Sequence, residues 1–126
     1  MRAVLDTSVV LATDIASLEG ELAISAVTLA ELHFGVLVAK ERKVRAERLR
    51  RLVLLERTFD ALPVDAAVAA SYGQLASAVV EAGRKPRARS LDLLIAATAH
   101  ANEARLYTRN VQDFVGLEDL VDVVVA

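Results

Sequence analysis

The chain has 126 residues, of which 55% are apolar but only 4% aromatic, and a formal net charge of −2. That length suits one domain, residues 1–126, able to bury roughly two-thirds of its unfolded surface in a core built mainly from Ala, Val and Leu. With no cysteine, disulfides and thiolate metal sites are excluded, and no run approaches the ~20 apolar residues of a membrane span, so a cytoplasmic location is expected.

The charge is unevenly placed. Of the fifteen Lys and Arg, eight lie between Lys40 and Arg57 and four between Arg84 and Arg89. Such clusters suit an anionic partner even on a weakly acidic chain.

In chain order, Ala3 to Asp6 reads as a buried strand that ends on a carboxylate, followed by the hydroxyls of Thr7 and Ser8. A helix is predicted from Ser8 to Leu18, stopped near Gly20, and "ELAISA" is a second strand. The next helix starts at Thr28, where Thr-x-x-Glu spacing to Glu31 makes a capping box. The pattern continues through "ERKVRAERLRRLVLLERTF" as an amphipathic helix with Val44, Leu49, Leu52 and Val53 at apolar positions. "ALPV" is a short strand or extended connection. Asp65 then caps an Ala-rich helix that Gly83 terminates. "RKPRAR" is a basic loop broken at Pro86, and Ser90 caps the helix "LDLLIAATAHANEA". A strand "RLYT", a turn around "RNVQDFVG" and a strand "VDVVV" close the chain. Strands separated by helices imply βαβ units and a mostly parallel sheet. Gly35 and Gly73 fall inside helices at a cost of about 1 kcal/mol each relative to Ala, which close packing or a subunit contact would offset.

In open parallel α/β sheets, sites form beyond the carboxyl ends of the strands. Asp6 ends the first strand, Asn110 and Asp113 follow "RLYT", and Glu31 and Asp92 lie in the first turns of helices. If those helices start from one rim, four acids converge. Two carboxylates about 4 Å apart repel by about 4 kcal/mol at an effective dielectric near 20, so a cation is needed between them. Oxygen ligands select Mg²⁺ or Mn²⁺, and such an ion activates water and stabilises charge on phosphate oxygens. The chemistry pointed to is phosphodiester hydrolysis.

Each acid also has a structural reading: Glu31 as the capping-box partner of Thr28, Asp92 at the positive end of its helix, Asp113 as a turn residue. Thr7 and Ser8 either orient Asp6 or hold a water at the metal, and Ser8 is alternatively a helix cap. His33 and His100 have no helical His partner and read as packing or surface residues; Tyr72 and Tyr107 read as core or interface. Arg42, Lys43, Arg50 and Arg51, with Arg84, Lys85, Arg87 and Arg89, are candidate phosphate contacts. Leu29, Leu32, Val36 and Leu37 form an apolar helical surface for an amphipathic partner helix or ordinary core. Two other functions compete: a non-catalytic nucleic-acid or protein-binding module of the same fold, and a phosphatase with Asp6 as nucleophile. The phosphatase expects a second Asp where Ser8 stands.

The segments "VLDTSVV", "ISAVTLAELHFGV", "LDLLIAATA" and "LYTRNVQDF", in that order over nearly the whole chain, resemble the PIN domain family, in particular the VapC-type toxins of bacterial toxin–antitoxin pairs. The resemblance implies a three-layer α/β/α domain with a central, mostly parallel sheet of four or five strands. It also implies a Mg²⁺- or Mn²⁺-dependent endoribonuclease acting on structured RNA, neutralised by a VapB-like antitoxin and commonly homodimeric. By the same resemblance the acidic site carries over to Asp6, Glu31 and Asp92, with Asp113 as the fourth acid. Asn110 becomes a neutral supporting ligand, and Ser8 the hydroxyl behind the first Asp. Asp6 and Asp92 are the expected principal metal ligands. The segment between Asp6 and Glu31 is shorter than usual for the family, so the first helix and its loop are expected to depart from their ordinary form.

Overall fold

Strand β1 (Arg2–Leu5) is the middle strand of the sheet in this computed structural model, which describes residues 1–12 and 15–126. Its last three residues are fully buried, as expected of a strand covered on both faces. Ala3 and Leu5 join one core with Ile24 and Tyr107, whereas Val4 joins the other with Leu106; the two-residue strand period divides neighbours between faces.

Around β1 stand β2 (Glu21–Ser25), β3 (Asp60–Leu62), β4 (Arg105–Thr108) and β5 (Val123–Val125), in the order β3-β2-β1-β4-β5. All four pairings are parallel, so the expected four or five mostly parallel strands are five wholly parallel ones. The chain runs outward from β1 to β3 on one side, then returns to build β4 and β5 on the other. The order therefore reverses between β1 and β4, where open α/β sheets leave a crevice.

One face carries helices α4 (Ala66–Glu81) and α5 (Ser90–Ala101), packed on Val68, Leu75, Ile95 and Phe114. The opposite face carries α1 (Thr7–Val10) and the inner side of α3 (Arg42–Thr58), with Val9, Val10 and Leu55. Helix α2 (Ala26–Val38) spans the edge between them, with Val27 in the first core and Leu29 and Leu32 against the second. No helix among the described residues is long and apolar enough to cross a membrane.

Several local expectations are corrected. The first helix is a single turn, Thr7–Val10, followed by a 3₁₀ turn at Ile15–Ser17; Thr13 and Asp14, which the expected Ser8–Leu18 helix also covered, lie outside the described residues. Helix α2 begins at Ala26 because Ser25 caps it, accepting from the Val27 amide at 3.0 Å, so Thr28 is not a cap and forms no capping box with Glu31. The long helix is broken after Val38 and restarts at Arg42. Leu52 is buried on α3, whereas Leu49 and Val53 are exposed, because α3 leans on the sheet along a stripe through Leu52 and Leu55. "RKPRAR" contains a 3₁₀ turn, Pro86–Arg89, that runs straight into α5. Ser90 does not cap α5; its hydroxyl donates backwards to the Arg87 carbonyl at 3.1 Å.

The ends of α4 follow the expected chemistry. Asp65 accepts from the Val68 amide at 3.0 Å, and Gly83 adopts φ +79 after Ala82. The Arg84 amide donates to Val79 and the Gly83 amide to Val80, the paired bonds of a left-handed helix stop that glycine adopts without a Cβ penalty. Gly35 and Gly73 differ: a Cβ at either would meet nothing within 4 Å among the described residues, so packing among those residues accounts for neither.

Candidate active site

Register brings the first groups together. Leu5 pairs with Ile24 on one side and Tyr107 on the other, so the residues that follow, Asp6, Ser25 and Thr108, leave the sheet level with one another. All three are buried polar residues, with Asp6 only 6% exposed. A buried carboxylate is tolerated when its oxygens are hydrogen-bonded, and those of Asp6 are. Oδ1 accepts from Ser8 Oγ at 2.5 Å and from the Val9 amide at 3.2 Å. Oδ2 accepts from Thr108 Oγ1 at 2.6 Å. Ser8 Oγ also accepts from the Arg109 amide at 3.2 Å, which stitches the loop after β1 to the loop after β4.

Glu31 is held by a different hydroxyl pair. Thr7 Oγ1 donates to Glu31 Oε1 at 2.6 Å. Thr28 Oγ1 lies 3.2 Å from Thr7 Oγ1 and, with the Thr7 proton committed to Glu31, is the donor between them. The Thr-x-x-Glu spacing thus serves a relay to Thr7. Helix α2 is set against α5 by a buried bond of 3.1 Å between Ser25 Oγ and Thr98 Oγ1, which fixes the approach of Glu31 to Asp92.

Asp92 stands in the first turn of α5 and Asp113 in the 3₁₀ turn Val111–Phe114. Arg89 lies between them, its Nη1 2.8 Å from Asp113 Oδ1 and 3.8 Å from Asp92 Oδ2. Burial, above all, raises the pKa of the Asp92 carboxyl above the usual aspartate range. The charge of Asp113 adds to this, as do Glu31 and Asp6, against the opposing effect of Arg89. Four carboxylates from four segments therefore share one electrostatic neighbourhood. Glu31 and Asp92 also border a common cleft of about 390 Å³ with Arg87, Arg89 and Ser90.

The donor set is entirely oxygen, which fits a hard cation in kind. It is not a closed cage: among the described residues no three acids or histidines already form a group able to enclose a metal. An ion that keeps several waters needs only one or two carboxylates in direct contact, so an open arrangement and this donor set are compatible.

The other nominated residues are distributed as follows. Asn110 uses its backbone, its amide donating to Thr108 Oγ1 at 3.0 Å and its carbonyl accepting from the Asp113 amide at 3.0 Å. Arg51 borders a cavity at Glu31, Arg87 and Arg89 border the Glu31–Asp92 cleft, and Arg84 and Lys85 border a cavity that Arg89 and Asp113 also line. Arg42, Lys43 and Arg50 are exposed on α3 and line neither cavity at Glu31. Arg89, expected as a phosphate contact, is engaged with the carboxylates. His33 is exposed, and His100 Nδ1 lies 2.7 Å from Ser71 Oγ between α4 and α5. Tyr107 is buried in the core, as one of its two expected roles required.

Thr108 was missed, although the sequence held a signal for it. It ends the second central strand just as Asp6 ends the first, and a hydroxyl there faces whatever its neighbour presents. Replacing Thr108 with Val keeps the shape but removes a donor to a buried charge. We expect a loss of about 1–3 kcal/mol, read from the urea midpoint; an unchanged midpoint would show that Asp6 does not depend on that hydroxyl.

A five-stranded parallel sheet with carboxylates gathered beyond its central strand has the architecture of a PIN domain. The chain belongs to the PIN domain family, whose model matches residues 3–115. Within that family it stands with the VapC proteins. Ribonuclease VapC5 of Mycobacterium tuberculosis is 38% identical over 126 residues, covering 95% of this chain and 90% of the relative. The crystal structure of VapBC-5 from Mycobacterium tuberculosis, a member of the VapBC family of toxin–antitoxin systems, superposes with a TM-score of 0.84 at 37% identity over 98% of this chain and 96% of the other. FitAcB from Neisseria gonorrhoeae gives a TM-score of 0.80 at 30% identity over 96% and 95%.

Proposed function

We propose that this chain is a Mg²⁺- or Mn²⁺-dependent endoribonuclease that hydrolyses RNA phosphodiester bonds and is neutralised by a small VapB-like antitoxin. The carrying observation is geometric: Asp6 is fixed at the end of β1, Glu31 and Asp92 border one cleft, and Arg89 lies between Asp92 and Asp113. After burial, the charges of Asp113, Glu31 and Asp6 help to raise the Asp92 pKa, a repulsion that a shared cation would relieve. Similarity to VapC5, a ribonuclease, supports the reaction.

Asp6 and Asp92 would be the principal ligands, with Glu31 and Asp113 completing the shell directly or through water. When bound, the ion supplies activation of the attacking water and stabilisation of charge on the phosphate. Asp6 enters the reaction already oriented, since Ser8, Val9 and Thr108 fix both its oxygens. Glu31 is anchored through Oε1, which leaves Oε2 to accept the proton of the water. Arg87, on the wall of the Glu31–Asp92 cleft, would hold a phosphate of the bound strand. Arg89 would exchange its carboxylate partners, Asp92 and Asp113, for a phosphate of the RNA backbone.

The antitoxin is supported by the likeness to VapBC-5. The surface expected for it changes, because Leu29 and Leu32 pack on the core and Val36 is buried. Leu37 remains exposed, as do Phe34 and Val38 of α2 and Leu49, Val53 and Leu54 of α3, and these are the apolar side chains that an amphipathic partner segment would cover.

The purified protein should cut RNA on addition of Mg²⁺ or Mn²⁺ and stop with chelator or with Asp92→Asn; cutting that survives both rejects the proposal. An independent check uses stability in metal-free buffer. A carboxyl whose pKa is higher folded than unfolded costs stability above the folded value, and the cost disappears below the ordinary 3.8. Asp92→Asn should therefore melt a few degrees above the parent at neutral pH, with the gap closing as pH falls towards 4. Mg²⁺ should stabilise the parent more than the variant. Equal responses would mean that the acids share no cation.

A further inference from the structure

Gly35 lies inside α2 at a cost of about 1 kcal/mol relative to Ala, yet an added Cβ would touch nothing within 4 Å among the described residues. What it does is keep a space open. Gly35 follows Glu31 by four residues and so shares its helix face. Because Cα–Cβ bonds tilt towards the helix N-terminus, a side chain at 35 would lean towards Glu31. That space is a cavity of about 350 Å³, with Thr7 and Glu31 on its rim and Leu11 and Leu32 as its apolar lining. Arg48 and Arg51 complete the lining among the described residues. Arg48 Nη1 is held there by the Gly35 carbonyl at 2.7 Å, and Arg51 has no partner among the described residues. Glu31 also lines the cleft containing Asp92, Arg87 and Arg89, so the cavity and the acid centre share a wall.

We infer that this cavity receives the base of a nucleotide next to the scissile phosphate, forming a specificity subsite of the nuclease proposed above, on which it rests. Single-stranded RNA is recognised by splaying bases onto apolar side chains and guanidinium planes. Leu11 and Leu32 offer the first and Arg48 and Arg51 the second, with the positive charge that the flanking phosphates require. A peptide segment would satisfy the leucines but, unless acidic, not the two arginines.

The test fills the cavity. Gly35→Ala and Gly35→Leu should melt at or above the parent temperature, since each removes a mid-helix glycine. In an Asp92→Asn background, which does not consume substrate, binding is measured by anisotropy with a short labelled RNA of random sequence and an abasic ribose-phosphate strand of equal length. Gly35→Leu should weaken the base-bearing RNA about tenfold and leave the abasic strand unchanged. In the active protein it should erase the base preference at one position beside the cut. Unchanged binding of both strands, or equal weakening of both, overturns the subsite. A Gly35→Leu protein that binds RNA normally but loses a co-purifying protein partner assigns the cavity to that partner and overturns it equally. If the parent binds with the expected base dependence yet never cuts, the nuclease reading fails and the specificity role falls with it, leaving a base-binding cavity alone. Should Gly35→Leu misfold, Gly35→Ala and Leu11→Ala carry the same comparison, since neither removes a charge from the cavity.

Discussion

Asp6→Asn is expected to lower RNA cleavage by about three orders of magnitude or more while leaving the fold in place. Loss of a charged ligand forfeits several kcal/mol of transition-state stabilisation, and each ~1.4 kcal/mol is a factor of ten in rate. The substitution keeps the size of the side chain. Its cost in stability follows from the hydrogen bonds: Ser8 Oγ, the Val9 amide and Thr108 Oγ1 now donate to a carboxylate, and an amide offers one acceptor and one donor where they need two acceptors. That costs about 1–3 kcal/mol, within reach of a domain of ordinary stability. The informative comparison is Thr108→Val, which leaves the charge and loosens its orientation; its cleavage should fall by about ten- to a hundredfold. Steady-state kcat/KM in Mg²⁺ and Mn²⁺ measures both. An Asp6→Asn protein that cuts at the parental rate removes Asp6 from the reaction.

Phe114→Ala should cost about 3–5 kcal/mol, the scale for truncating a buried aromatic side chain. Phe114 is 2% exposed and packs in the core that includes Leu93, Leu117 and Val121. Its place in the chain makes it more than filling, because it immediately follows Asp113 and anchors the 3₁₀ turn that carries that acid. The urea midpoint should drop accordingly. Cleavage should fall as well at temperatures where the variant is still folded, since Asp113 and its bond to Arg89 lose their footing. Phe114→Leu, which keeps most of the apolar volume, should recover most of the stability. A Phe114→Ala protein as stable as the parent would show that this turn is not seated in the core.

The order of strands and helices was readable because it rests on local signals: two-residue and 3.6-residue apolar periods, Asp65 as a cap, Gly83 as a stop. Asp6 stood out for a related reason, since a carboxylate directly after three apolar strand residues has few structural explanations. Where reading failed, a local rule had a distant competitor. The Thr28–Glu31 spacing satisfied a capping box, but Ser25 had already taken the cap and Thr7, twenty-four positions before Glu31, took the carboxylate. Ser90 looked like a cap until Pro86 started a turn that absorbed the helix start. Val53 and Leu49 matched an apolar stripe, but the angle at which α3 meets the sheet exposes them.

Composition and periodicity were enough to specify a parallel α/β sheet and to nominate the acids, because burial pattern and turn chemistry are written in neighbouring residues. Only the tertiary structure could decide that Asp6, Ser25 and Thr108 leave the sheet level with one another, that Arg89 joins Asp92 to Asp113, and that Gly35 opens a cavity beside Glu31. Register, hydrogen-bond choice and empty space depend on segments far apart in the chain, as Thr108 and Asp6 are at 102 positions, and no local pattern records which of several competent partners arrives first.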